Sequence, residues 1–286
     1  MESLNEVMTP VVERVKAAWD KAKKETPALK KPSDDVLPVY ECPKCKDQGI
    51  ILDPDRNVGY TCSCMERKKL QRLMNSTNMS EDALYKTFDN FNIDGEDDRV
   101  IAAYKLVREY SDGLIARAKN GQSLKGIPWF GLLGVSGSGK THMVQAMVAP
   151  LLEFGIHPLF FNWVESFTEW YAYYGSENEV YKVAEIRHKI YNCDLLVVDD
   201  VCKEIQKDSW IKEFYGIVDY RYRKQLPIVF TSEYYDQLIG FLSVATAGRL
   251  FEKTISPKGK KFLGKMLLDN GEDPLAMNYR FKKLLQ

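Results

Sequence analysis

The segment Gly134-Val135-Ser136-Gly137-Ser138-Gly139-Lys140-Thr141 constrains the fold of this chain more than any other. It satisfies G-x-x-x-x-G-K-[ST] at every fixed position. It follows the apolar run Ile127 to Leu133, which reads as a buried strand, and precedes Met143 to Leu152, which reads as a helix. Strand, glycine-rich turn and helix in that order make a phosphate-binding loop. The glycines let backbone N–H groups turn toward phosphate oxygens, and the positive end of the helix dipole adds to the attraction. The pattern predicts a nucleotide-binding set of Gly134, Val135, Ser136, Gly137, Ser138, Gly139, Lys140, Thr141 and His142. In it, Lys140 would reach the β and γ phosphates and the Thr141 hydroxyl would ligate Mg²⁺.

Downstream, apolar strands and helices alternate. His157 to Trp163 is a candidate strand, and Val164 to Ile190 reads as helical with a break at Gly175-Ser176. Leu195 to Val198 is an apolar strand that ends in Asp199-Asp200, the form of a Walker B element. Asp199 would hold Mg²⁺, and Asp200 would orient or polarise the attacking water. Trp210 to Lys224 reads as a helix and Leu226 to Ser232 as a further strand. Ligands of open α/β sheets sit beyond the carboxyl ends of the strands, which puts Thr231 and Ser232 near a γ-phosphate. Capping a following helix is an equal use for those two hydroxyls. The repeat predicts an α/β core with a mostly parallel sheet flanked by helices.

Ahead of this core, Cys42-Pro43-Lys44-Cys45 and Cys62-Ser63-Cys64 gather four of the six cysteines into two close pairs. With no secretory signal pattern at Met1 to Glu6, the chain reads as cytoplasmic, where such clustering argues for metal rather than disulfides. Four thiolates suit Zn²⁺, which could hold together a segment too small for its own core. Cys193 and Cys202 read as small core residues. An amphipathic helix is expected over residues 4–22, a lysine- and proline-rich linker over 23–38, and a short basic helix over 65–74. Phe88 and Phe91 are expected to anchor onto the next domain, and a second long helix follows with Val100, Ala103, Tyr104, Val107, Tyr110, Leu114 and Ala118 on one stripe. The domain boundary is therefore drawn near residue 95, with 1–95 as an N-terminal region and 96–286 as an ATPase domain.

Forty basic residues balance forty acidic ones, and 45% of the chain is hydrophobic. No global field draws the protein to nucleic acid or membrane, so any contact with nucleic acid is local. No apolar run approaches the ~20 residues of a membrane span. Candidate basic patches are Arg67-Lys68-Lys69 with Arg72, Arg221 to Lys224, and Lys258, Lys260, Lys261 and Lys265; charge runs of this kind usually cover a solvated surface.

The phosphate loop, Asp199-Asp200, Asp219-Tyr220-Arg221-Tyr222, Thr231-Ser232 and Gly248-Arg249-Leu250 together resemble the AAA+ module of the DnaC/DnaI helicase loaders. The cysteine pairs resemble the N-terminal region of loader-like proteins of Gram-positive bacteria and their phages. The resemblance implies an AAA+ P-loop ATPase preceded by a small helical and zinc-binding domain. It implies an ATP- and Mg²⁺-dependent loader that binds a hexameric DnaB-type replicative helicase through residues 1–95. The loader would help place that helicase on single-stranded DNA, with ATP-dependent self-assembly. Arg249 would act as an arginine finger on a neighbouring subunit's nucleotide, with a surface arginine in a turn as the other reading. Arg280 would be a second sensing arginine. Phe167 to Val180 matches the family's helical insertion, where Trp170, Tyr171, Tyr173 and Tyr174 either stack on DNA bases or pack in a core. Two departures stand out. Glu233 follows Thr-Ser where many members carry asparagine, and Asp200 replaces the usual glutamate, so a slow ATPase is expected. An IstB-type transposition ATPase and a helicase-binding regulator that does not load are the competing readings.

Overall fold

The computed structural model of the chain describes residues 40–53, 58–65, 68, 76–79, 81–269, 271–273 and 275–281. The helix expected over 4–22, the linker over 23–38 and most of the basic segment 65–74, including Arg67, Lys69 and Arg72, lie outside the described residues. Two compact units emerge, residues 1–64 and 65–286. The division falls ahead of the boundary expected near residue 95, because Phe88 and Phe91 pack on Tyr104 of the larger unit, with ring centroids 5.6 and 5.7 Å away.

In the smaller unit, β1 (Ile50–Asp53) pairs antiparallel with β2 (Val58–Thr61), Ile50 opposite Thr61. The larger unit contains α1 (Asp98–Lys119). Asp97 caps it by accepting from Arg99 N at 2.8 Å, and its buried residues are the expected stripe with Ser111 added. Two residues past its end, Gly121 has a φ of +62° that suits glycine and lets Gln122 N reach back to Arg117 O at 2.9 Å.

The sheet contains β3 (Phe130–Gly134), β4 (Pro158–Asn162), β5 (Leu195–Asp199), β6 (Ile228–Ser232) and β7 (Leu263–Met266) in the spatial order β4-β5-β6-β3-β7. Every neighbouring pair is parallel. The helices are α2 (Lys140–Val148), α3 (Trp163–Ala172), α4 (Glu179–Asn192), α5 (Asp208–Lys224), α6 (Gln237–Leu242) and α7 (Val244–Lys253). α2 gives way to a tighter 3-10 turn over Ala149–Phe154, where Pro150 lacks the N–H that would continue the α-helical ladder.

Alternation along β5 divides the core. Leu195 and Val197 pack with α1 and α2 residues, whereas Leu196 and Val198 face an aromatic cluster of Phe161, Trp163, Phe167, Trp170, Trp210 and Phe214. Each fully buried large side chain contributes roughly 1.5–3 kcal/mol, so these two faces anchor the strand ends that carry the site. Trp170 belongs to this core: it is fully buried and its ring stacks on Phe167 at 5.9 Å. It is therefore closed to a nucleic-acid base, and of the four aromatics expected there only Tyr174 is exposed. Arg221 is likewise no part of a surface patch. Its guanidinium is fully buried and donates to the carbonyls of Ile190, Cys193 and Pro227 at 2.9–3.1 Å.

Candidate nucleotide-binding site

The carboxyl end of β3 runs into the loop 134–139, which turns at Gly137 (φ +79°) and Gly139 (φ +87°). A side chain at either glycine would collide with its packing partner. A Cβ at Gly137 would lie 2.3 Å from Asn278 Oδ1, and one at Gly139 would lie 2.4 Å from Phe91. The loop is thus clamped between the 87–91 segment and the 278–280 segment, with Tyr279 N donating to Gly137 O at 2.9 Å. His142 Nε2 bonds Thr87 O at 2.9 Å, so this side chain ties α2 to the same clamp. Gly139, which precedes α2, offers no side-chain cap, so the positive end of the helix dipole faces the loop.

A cavity of about 390 Å³ opens over this loop. Its lining brings together Lys140, Thr141 and Arg280 from the expected set with Asp200 from the end of β5. Lys140 is folded back, donating to Gly134 O at 2.8 Å and Val135 O at 3.1 Å. Burial pulls its ammonium below the ordinary lysine value, against the opposing charges of Asp200, Glu233 and Asp199.

Asp199 joins three elements. Its Oδ2 accepts from the Thr141 hydroxyl at 2.9 Å, and its Oδ1 accepts from the Thr231 hydroxyl at 2.6 Å. Burial pushes its carboxyl upward, the neighbouring Asp200 charge adds to this, and the two hydroxyl bonds resist it. A buried carboxylate beside a threonine hydroxyl, made costly by desolvation, fits a divalent cation, whose charge would restore the ionised form.

Thr231 and Ser232 are fully buried, and both hydroxyls are spent on the end of β5. Thr231 Oγ1 also accepts from Asp200 N at 2.8 Å, and Ser232 Oγ donates to Val201 O at 2.8 Å. The residue of this element that lines the cavity is Glu233. Asp200, Cys202 and Glu204 hold φ values of +57°, +63° and +55°. Each such residue costs on the order of 1–3 kcal/mol, a strain concentrated beside the cavity.

Arg249 stands apart from the cavity lining, on α7 rather than in a turn. It lies over the rings of Tyr215 and Tyr222 at 5.7 and 5.5 Å and pairs with Asp219 at 3.3 Å.

The model of the bacterial DnaA ATPase domain matches residues 83–250, more than half of the chain. The chain belongs to the bacterial DnaA ATPase-domain family. This DnaA-type ATPase domain is 26% identical over 231 residues to the phage-like element PBSX protein XkdC of Bacillus subtilis strain 168, across 78% of this chain and 82% of that protein. It is also 26% identical over 243 residues to the uncharacterized protein YqaM of the same strain, across 68% of this chain and 74% of that protein. In fold it is similar to the crystal structure of the DnaC helicase loader, with a TM-score of 0.51 and 16% identity over 66% of this chain and all of that one. Among the described residues, no helix is long and apolar enough to cross a membrane.

The larger unit also holds site residues that the motifs do not announce. Lys86, Asn90, Phe91, Lys203 and Tyr279 line the cavity, and Asn278 fills the space under Gly137. Phe91 is marked in the sequence only as an anchor onto the following domain, and Asn278 and Tyr279 only as neighbours of Arg280. Lys203 carries no sequence signal.

The four cysteines lie outside the matched residues, in the smaller unit. All are buried, and their sulfurs lie within 4.8 Å of one another, with Cys42–Cys62 at 3.7 Å and Cys45–Cys64 at 3.4 Å. A tetrahedral zinc with Zn–S bonds near 2.3 Å separates its sulfurs by about 3.8 Å, so the donor set fits Zn²⁺. The turn after Cys45 places Lys46 and Asp47 at positive φ and lets Gly49 N donate to Cys45 Sγ at 3.3 Å. A backbone bond to Cys45 pulls the Cys42 thiol down to about 6, while sharing a proton with Cys45 pushes Cys64 up to about 12.

Proposed function

We propose that this ATPase domain is the motor of an ATP-dependent loader that binds a hexameric DnaB-type replicative helicase and helps place it on single-stranded DNA. The observation that carries the ATPase half of this reading is the Thr141–Asp199 bond at 2.9 Å, which joins the phosphate loop to the acidic end of β5 at one cavity. The loader half is supported by the fold shared with the DnaC helicase loader and by the buried Cys42, Cys45, Cys62 and Cys64 cluster, which an IstB-type transposition ATPase does not need.

In this reading, the smaller unit, residues 1–64, engages the helicase, and the larger unit, which brings Lys86, Asn90 and Phe91 to the cavity, binds and hydrolyses ATP. The N–H groups of the loop 134–142 hold the phosphates, and Lys140 leaves the Gly134 and Val135 carbonyls for the β and γ oxygens. Thr141 and Asp199 would hold Mg²⁺, which when bound offsets charge on the phosphates. Asp200 polarises the attacking water. Its shorter side chain and its ion pair with Lys203 at 2.9 Å favour slow turnover, with nucleotide acting chiefly as a switch. Arg280, on the rim of the cavity, senses the bound nucleotide in cis. Arg249, outside the cavity of its own chain, serves the nucleotide of a neighbouring subunit. Cys42, Cys45, Cys62 and Cys64 would hold Zn²⁺, whose role is structural.

The test is size-exclusion chromatography with light scattering on the protein mixed with the replicative helicase of its own host, with and without ATP and Mg²⁺. A defined complex is expected. Absence of a complex in both states would overturn the loader reading in favour of a transposition-type ATPase.

A further inference from the structure

Beyond the phosphate loop and the acid pair, the cavity carries two more charged residues that face one another. Lys203 Nζ lies 2.9 Å from Asp200 Oδ2 and 3.4 Å from Glu233 Oε1, and Lys140 Nζ lies 4.0 Å from the same Glu233 oxygen. The side chains of Lys203 and Glu233 are 27% and 21% exposed, and Lys140 is 5% exposed. All of them line the phosphate-loop cavity. An ordinary surface pair three residues apart would involve Lys203 and Asp200 alone. Here a third residue, at the end of another strand, bridges both lysines.

We propose that Lys203 and Glu233 form a charge clasp that reads the terminal phosphate of a nucleoside triphosphate. Glu233 holds the two ammonium groups together while that phosphate is absent, and the phosphate displaces Glu233 as their shared counter-ion. This rests on the ATP-binding reading and deepens it by assigning the discrimination between triphosphate and diphosphate.

The charge arithmetic favours exchange over addition. Lys140 and Lys203 balance Asp200 and Glu233, so the clasp by itself is neutral. A γ-phosphate brings further negative charge to the ammonium groups that Glu233 already occupies, and the two anions repel in a partly desolvated cavity. A diphosphate lacks that group and leaves the clasp closed.

The backbone keeps Lys203 in reach once it is released. Lys203 N donates to Asp200 O at 3.0 Å, Val201 N donates to Thr231 O at 2.8 Å, and Gln206 Nε2 donates to Cys202 O at 2.5 Å. Glu233 follows Ser232, whose hydroxyl bonds both Val201 O and Tyr234 N. The segments that carry the acid and the base are thus tied together, and only side chains need to swing.

The experiment is calorimetric titration of ATP and of ADP, each with Mg²⁺, into the full chain and its Glu233→Gln, Lys203→Ala and Lys203→Arg variants. One charge-assisted hydrogen bond is worth about tenfold in affinity. Glu233→Gln is expected to tighten ATP about tenfold and Lys203→Ala to weaken it about tenfold, with ADP changed by less than about twofold in both. Lys203→Arg is expected to keep most of the ATP preference. Equal shifts for ATP and ADP, or no shift in either, would overturn the clasp. If Lys203→Ala does not fold, the ATP to ADP ratio of Glu233→Gln decides alone, and an unchanged ratio refutes the proposal. Failure of the unaltered protein to bind both nucleotides is a different result, which overturns the ATP reading itself.

Discussion

Thr231 Oγ1 donates to Asp199 Oδ1 at 2.6 Å and accepts from Asp200 N at 2.8 Å, so a single hydroxyl on β6 holds both acidic residues at the end of β5. Because the other Asp199 oxygen accepts from Thr141, the chain of bonds runs from β6 through β5 to the phosphate loop.

Thr231→Val keeps the branched shape and removes the hydroxyl. The Asp200 N–H is left unpaired, which costs about 1–3 kcal/mol. Urea denaturation should show that loss, and Mg²⁺-dependent ATP hydrolysis should fall at least about tenfold, while Thr231→Ser retains both. Unchanged turnover in Thr231→Val would show that this bond does not position Asp199.

Lys140→Ala should abolish ATP binding, since the loop loses a buried ammonium that no neighbour can replace at the same point. Arg249→Ala should leave binding intact and reduce hydrolysis or assembly, because its side chain lies outside its own cavity. An arginine finger is worth about 10³-fold or more in turnover, a loss that single-turnover kinetics would resolve. Hydrolysis and assembly both intact in Arg249→Ala would rule out the finger role.

Elemental analysis of the purified protein should find one zinc per chain, lost when Cys62 is replaced by alanine. If the four thiolates hold zinc, its affinity should fall as pH falls, and binding should release protons measurable in a weakly buffered titration. Removing the metal with a chelator should unfold the smaller unit and abolish helicase binding while ATP binding by the larger unit persists. Full helicase binding without metal would separate the cysteine cluster from partner recognition.

Arg221→Ala should destabilise the larger unit by about 3–5 kcal/mol, read by urea denaturation. The change removes the guanidinium's bonds to three carbonyls, those of Ile190, Cys193 and Pro227, and leaves Pro227 O with only the longer bond from Leu196 N at 3.3 Å. Arg221→Lys offers a single ammonium for three directions and should recover only part of the loss. A change within about 0.5 kcal/mol would mean that water replaces the guanidinium.

Much of the candidate site was legible because its residues are local in sequence. A phosphate loop needs a strand, glycines and a helix within a dozen residues, and the acid pair needs only an apolar run that ends in carboxylates. Side-chain period marked the α1 stripe and unbroken apolar runs marked the strands β3 to β6, since burial on one helix face leaves a repeat whereas burial between two packed faces leaves a continuous run. The edge strand β7 left no such trace, because Leu-Gly-Lys-Met is short and carries one residue that faces water. Trp170 and Arg221 were not legible either. An aromatic beside a glycine break and an arginine in a basic run read the same whether buried or exposed, and only the neighbours that close over them decide.

The α/β class, the loop at Gly134 to Thr141, the Asp199-Asp200 pair and the clustering of Cys42, Cys45, Cys62 and Cys64 follow from the order of residues alone. Each is a pattern of chemistry completed within a short stretch of chain. Packing had to be seen before Thr231 and Ser232 could be found turned inward to β5, with Glu233 facing the cavity. Packing also brings Lys203, Phe91 and Tyr279 to the phosphate loop from segments far apart in the chain. Those placements depend on which strands lie side by side. The parallel order β5-β6-β3 sets that neighbourhood, and no local periodicity encodes it.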